Sequence, residues 1–232
     1  MYNTRSISLF LAFLFILSSL SCNTVKQGTA LANLTEKQIS VETLLNWKQL
    51  GKGKVSMAIA NQLSITETED SQGVMLMSPD TYSEDVIVRY KFLALNAATV
   101  FVTMLSASDG SGGGGLRIPS DYQGGFALLT EKSNYFFAFK NDVHAAKPYL
   151  AKNPASSISA TAQKTDQMLP GIYYDIETGK SGNQVWLKIN GRTIVKMEDP
   201  NPLSGGRILF RLRGTAGIPA AALIRDVRIV SK

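Results

Sequence analysis

The only histidine of the chain, His144, stands in a stretch that alternates with a period of two. Phe137, Phe139 and Val143 fall on one side, and Phe136, Ala138, Lys140, Asp142 and His144 fall on the other. A second alternating stretch, Arg207 to Arg213, sends Ile208, Phe210 and Leu212 one way and Arg211 and Arg213 the other. If the polar sides of these two stretches meet in one groove, its floor is cationic and holds an acid/base, with Arg89 and Tyr173 as candidate neighbours. That set suits an anionic sugar, because guanidinium pairs bidentately with carboxylate or sulfate. It also suits β-elimination on a uronic acid. Arg or Lys neutralises the carboxylate, a base takes the C5 proton, and an acid protonates the departing oxygen. On this reading His144, Lys140 and Tyr173 are catalytic, and Arg89, Arg211, Arg213 and Asp142 bind substrate.

Plainer roles compete with each of these. A lone histidine in an aromatic strand is commonly structural, Asp142 can pair with a nearby lysine, and arginines on a sheet face are commonly solvated cross-strand charges. Other chemistries lack their parts. No Gly-x-Ser-x-Gly elbow presents a serine. One histidine and one cysteine do not make a zinc site, no cofactor is implied, and a structural calcium held by loop carbonyls and carboxylates stays open. The glycine-rich stretch Asp109 to Gly125 lacks the Lys-Ser or Lys-Thr and the following helix of a phosphate loop. It reads as a surface loop or as a loop lining a cleft.

The elements that must position these residues are short strands. Lys54–Ile59, Leu63–Thr66, Val74–Met77, Asp85–Leu95, Thr99–Ser106, the stretch from Tyr135, Ile158–Ala162, Ile172–Thr178, Gln184–Ile189, Thr193–Met197, Arg207–Arg213 and Ala221–Val230 all read so. Turn residues punctuate them, and Asn190-Gly191 is the strongest hairpin signal. Within Ile172–Glu177 the period of two turns Ile172, Tyr174 and Ile176 inward. No long amphipathic helix is present. Strands at roughly ten-residue spacing predict an all-β sandwich of two antiparallel sheets.

Arg5, the apolar run Leu9 to Leu17, and Ser18-Ser19-Leu20-Ser21 before Cys22 form an export signal over residues 1–21. The apolar run is too short to span a bilayer. A small residue before the single cysteine resembles a bacterial lipobox, which implies lipidation of Cys22 and a membrane contact through that anchor. Residues 22–43 then read as a tether and 44–232 as the folded domain, in a protein of the cell envelope, at the outer membrane and either periplasmic or surface-exposed. The net charge of +6 falls to +5 without residues 1–21. With no Lys/Arg run, this charge favours an anionic glycan and excludes nucleic acid as a partner.

Four segments carry a family resemblance. They are Gly171 to Ile176, Gly182 to Ile194 with its Asn-Gly, Gly205 to Thr215, and Ile224 to Ile229 with its Ile-Arg-Asp-Val. Together they resemble the closing half of concanavalin A-like jelly rolls, and Lys152-Asn153-Pro154 after an aromatic-basic strand narrows the likeness to a YesU-like family. Members are small bacterial jelly rolls often encoded among polysaccharide-utilisation genes. The resemblance implies a carbohydrate-active protein and suits a lyase or oligosaccharide dehydratase on uronate-containing fragments such as those of ulvan. A non-catalytic glycan-binding lipoprotein and a glycoside hydrolase are the alternatives. For the hydrolase, Asp175-Ile176-Glu177 lacks the third carboxylate of the Glu-x-Asp-x-x-Glu strand that related hydrolases carry.

Overall fold

A computed structural model describes residues 34–110, 115–139, 147–154, 157–162 and 168–232. The expectations placed on residues 1–33, with Cys22, and on Lys140, Asp142 and His144 lie outside the described residues. In chain order the first elements are β1 (Thr35–Ile39), α1 (Val41–Leu45), β2 (Lys48–Gly51), β3 (Gly53–Ala58), β4 (Gln62–Glu67) and β5 (Val74–Met77). Next come β6 (Val86–Ala94), β7 (Val100–Ser108), α2 (Ala127–Glu131), β8 (Ser133–Phe139), β9 (Tyr149–Asn153) and β10 (Ser157–Thr161). The series ends with β11 (Tyr174–Ser181), β12 (Gln184–Ile189), β13 (Arg192–Glu198), β14 (Arg207–Arg213) and β15 (Ala221–Ser231).

These strands form two antiparallel sheets, so the protein is an all-β sandwich. One sheet runs β13-β12-β11-β6-β15-β4-β3, with β1 on the far half of β15; the other runs β10-β9-β8-β7-β14-β5-β2. We call them the first and second sheets. Between them lies an aromatic core in which Trp47 stacks on Phe210 at 5.6 Å and Phe101 packs against Phe92, Phe139, Tyr90 and Phe210. Each such buried ring contributes roughly 1.5–3 kcal/mol over leaving it in water. The alternation within Arg207–Arg213 holds: Ile208, Phe210 and Leu212 are all fully buried in this core. At the β12–β13 turn Asn190 and Gly191 both adopt positive φ, 50° and 75°, as a two-residue hairpin requires.

Two expectations need correction. The stretch read as a tether contributes to the fold: β1 pairs along its length with β15, and α1 follows, capped by Ser40, whose Oγ accepts from the Thr43 amide at 3.2 Å. Strand β11 begins at Tyr174, which leaves Ile172 in the preceding turn and 47% exposed rather than in the core.

A polar knot ties the β13–β14 connection to β8 and β9. Tyr135, buried on β8, donates its hydroxyl to Asp199 Oδ2 at 2.6 Å and accepts the Leu203 amide. Asp199 also takes Lys152 Nζ from β9 and the Asn201 amide. Burial pushes the Asp199 carboxyl up, but the Lys152, Tyr135 and Asn201 donors together hold it below its ordinary value of 3.8. Because the folded value is depressed, this stabilisation is present above pH ~4 and is lost as pH falls through the folded value. The melting temperature should therefore drop on acidification below about pH 4. In Asp199→Asn it should start lower at neutral pH and fall less steeply with acid; an equally steep fall would remove Asp199 from the account.

Candidate functional site

The outer face of the second sheet is unusual for a sandwich because it is apolar. Across the strands the register aligns Tyr149, Ala138, Val102, Arg211, Met75 and Leu50 in one row, and Ala151, Phe136, Met104, Leu209 and Met77 in the next. Such residues on an outward face call for a cover. Leu116, Ile118 and Tyr122, from the stretch before α2, and Leu129 of α2 supply it. The described part of the glycine-rich stretch is thus folded against the sheet. Of the two readings open for it, lining a cleft is the one the structure gives, since Gly125 and the adjoining Phe126 wall a cavity.

Arg211 is the single charge in that row. It is 5% exposed; Nε and Nη2 reach Gly124 O at 3.2 and 3.0 Å, Nη2 reaches Gln72 O at 2.9 Å, and the guanidinium also interacts with the Tyr122 hydroxyl. This clamps two connections together so tightly that a Cβ on Gly124 would lie 2.1 Å from Gly73 O. Both glycines adopt positive φ, 89° and 134°, so each is needed for space and for conformation. Burial lowers the Arg211 pKa from the ordinary guanidinium value, and the charge of Arg213 acts in the same direction. Among the described residues no carboxylate forms a salt bridge with Arg211, although the charge of Glu67 acts on it and works against the lowering.

Beside it opens a cleft of about 450 Å³, a size usual for small-ligand sites. Arg211, Arg213, Gln72 and Lys147 supply its polar side chains, and Val100, Val102, Gly125, Phe126, Phe136, Ala138, Phe139, Pro148 and Tyr149 the rest. Tyr149 lies near-parallel to Phe136 at 6.0 Å, and Phe126 meets Phe136 edge-on at 5.1 Å. Burial raises the Tyr149 pKa, while the Arg211 charge works against that rise. No Asp or Glu lines the cleft among the described residues. Arg213, the next outward residue on β14, gives Nη1 to Glu67 Oε1 at 3.1 Å and to Ser71 O.

The structure brings Arg211 and Arg213 to one groove with the outward residues of β8, Phe136 and Ala138. It separates Arg89 and Tyr173 from them. Both lie on the outer face of the first sheet, with the whole sandwich between. Arg89 is bonded to Glu177 and Glu36 at 2.7 and 2.8 Å, and Tyr173 lies under the Arg225 guanidinium at 4.2 Å. Glu177 also takes Trp186 Nε1 and Lys188, and Asp175 pairs with Lys91. A period of two names the face of a strand but not its sheet, so it does not distinguish these residues from those of the cleft. The sequence pattern does not single out Gln72, Phe126, Lys147 or Tyr149, which line the cleft. The apolar Phe136 and Ala138, outward on a strand whose other face is also apolar, were the available sign that this face is covered. Among the described residues no group of three or more His, Cys, Asp or Glu could hold a metal ion, and no helix is long and apolar enough to cross a membrane.

No protein-family model matches this chain, and no curated protein is detectably similar to it. Solved structures do share its fold. A Bacillus subtilis protein of unknown function with a galectin-like fold superposes with a TM-score of 0.72 at 18% identity, over 84% of this chain and 96% of that one. A carbohydrate-binding module of family CBM66 from Bacillus subtilis gives 0.51 at 12%, over 84% and 96%. A Bacillus licheniformis β-glucanase gives 0.54 at 13%, over 85% and 92%. At these identities the likeness establishes the architecture, a galectin-like, concanavalin A-like jelly roll.

Proposed function

We propose that this chain is a carbohydrate-active protein of YesU-like kind that takes an anionic, uronate-containing oligosaccharide in the cleft over β7, β8 and β14 and acts on it by β-elimination. The observation that carries the reading is Arg211, a nearly buried guanidinium with no salt bridge among the described residues, at the edge of an aromatic cleft. A cation buried in so apolar a row, reached by the Glu67 charge but without a described salt bridge, keeps a desolvation cost that a bound anion would offset. Its Nη1 is the end not committed to the Gly124 and Gln72 carbonyls. The sharing of the fold with a carbohydrate-binding module and a β-glucanase supports a sugar as the ligand. The lack of a carboxylate among the described lining residues speaks against the paired-carboxylate hydrolysis of glycosidases.

In the proposed reaction Arg211 and Arg213 neutralise the uronate carboxylate, which acidifies the C5 proton. A base removes that proton, its electron pair becomes the C4–C5 double bond, and the C4–O bond breaks with proton return to the leaving oxygen. Tyr149 takes the place in the cleft given above to Tyr173, and His144 and Lys140 are the other candidates for proton transfer. Export by residues 1–21 and anchoring of Cys22 in the cell envelope belong to the same proposal; mass analysis of the membrane fraction, showing or lacking a diacylated Cys22, tests that part.

The reaction is tested by absorbance at about 235 nm, where a 4,5-unsaturated uronate absorbs, during incubation of the protein with a panel of uronate oligosaccharides. The expected result is a rise on one substrate, abolished in His144→Ala with binding retained. A product lighter by one water without chain cleavage selects dehydratase over lyase. Tight binding with no absorbance change on any member would overturn elimination and leave a glycan-binding protein.

A further inference from the structure

Arg213 borders two cavities. Besides the aromatic cleft it lines a depression of about 350 Å³ between the β4–β5 and β14–β15 connections, walled by Thr68, Glu69, Asp70, Gly214, Gly217 and Ile218. Its place at this partition is fixed by Glu67, which is 4% exposed. The Glu67 carboxylate holds Arg213 through Oε1 and accepts the Gly214 and Ala220 amides through Oε2. One buried carboxylate therefore ties together the connections that wall the depression and sets the arginine between the two spaces. The Arg213 side chain is 41% exposed, and its described bonds use Nη1 alone, so Nε and Nη2 are available to a ligand.

The two spaces differ in charge. The cleft offers Arg211 and Lys147 with no described carboxylate, whereas the depression carries Glu69 and Asp70 and no cation but Arg213. Carboxylates accept hydrogen bonds from the hydroxyls of a neutral sugar and repel a second anionic one. We propose that the ligand site continues past Arg213 into this depression, so that the ligand is an oligosaccharide of mixed charge. Its anionic unit lies over Arg211 and the adjoining unit is neutral, with hydroxyls received by Asp70 and Glu69. This rests on the reading of the cleft as an anionic-glycan site and adds the length and charge order of what binds.

Calorimetric titration of the full chain with glucuronic acid, a glucuronyl-glucose disaccharide and a glucuronyl-glucuronate disaccharide tests it. The mixed disaccharide should bind about tenfold more tightly than glucuronic acid, and the all-acid disaccharide no more tightly than the monosaccharide. The double variant Asp70→Asn, Glu69→Gln should erase the difference between the disaccharides while leaving glucuronic acid unchanged. Asparagine suits position 70 because its φ is 60° and Asn tolerates that region. Mixed-disaccharide affinity within about twofold of glucuronic acid, or discrimination that survives the double variant, would overturn the extension alone. Failure of all three sugars to bind would overturn the cleft reading beneath it.

Discussion

Arg211→Met should weaken binding of an anionic oligosaccharide by at least about 100-fold, the equivalent of ~2.7 kcal/mol, in line with losing a hydrogen-bonded charge contact. The same variant should cost roughly 2 kcal/mol of folding stability, because Gly124 O and Gln72 O both lose their guanidinium donor at a buried position. Part of that cost is returned, since a buried charge is also removed, so methionine of similar length should still fold. Arg211→Lys separates the two roles. It keeps the positive charge but cannot span both carbonyls, and should lose about tenfold in affinity. Titration calorimetry and urea denaturation measure both effects. If Arg211→Met binds as tightly as the parent, the arginine only fastens the covering loop to the sheet and the anion site is elsewhere.

Glu67→Ala should destabilise the domain strongly, by about 2–4 kcal/mol, because two buried backbone amides lose their acceptor while the partly exposed Arg213 can turn to water. The Gly214 and Ala220 amides lose their acceptor at once, and Arg213 Nη1 keeps only Ser71 O. For a domain of this size that lowers the melting temperature by roughly 10 °C. Glu67→Gln keeps the shape but turns an amide NH2 toward some of these donors, and should recover less than half of the loss. A loss under about 1 kcal/mol in Glu67→Ala would show that water replaces the carboxylate and that the knot at the end of β14 is not what holds it.

The faces of the strands were legible in the sequence because alternation is a local property. Arg207–Arg213 and Gln184–Ile189 show it: Ile208, Phe210, Leu212, Val185, Leu187 and Ile189 are buried in the core while Arg213, Trp186 and Lys188 are outward and partly exposed. Strands without a clear pattern were missed. Thr35–Ile39 buries one residue of five and is held mainly by its backbone pairing with β15. Tyr149–Asn153 follows Pro148 and is too short to declare a period. Sheet membership was not legible, since it depends on pairings such as Arg211 with Val102 that join positions more than a hundred residues apart. Arg89 and Tyr173 were accordingly grouped with residues on the opposite side of the molecule. Arg211 was recognised as outward, yet its burial was not foreseen, because the glycines that let Gly124 and Gly73 meet over it carry no side chain to signal the contact.

The strand order has a consequence in time. β14 lies between β7 and β5, and β15 lies between β6 and β4 while also holding β1. The seam through the middle of both sheets is thus filled by the two strands that come last in the chain. Until residues 207–231 are available, β5, β6 and β7 can pair on one edge at most, and neither half of either sheet can dock on the other. Closing such distant pairs requires the loop entropy to be met before most contacts form, which makes assembly slow. Meanwhile the unpaired edges are open to other chains, so a polypeptide shortened by β14 and β15 would aggregate rather than fold in part.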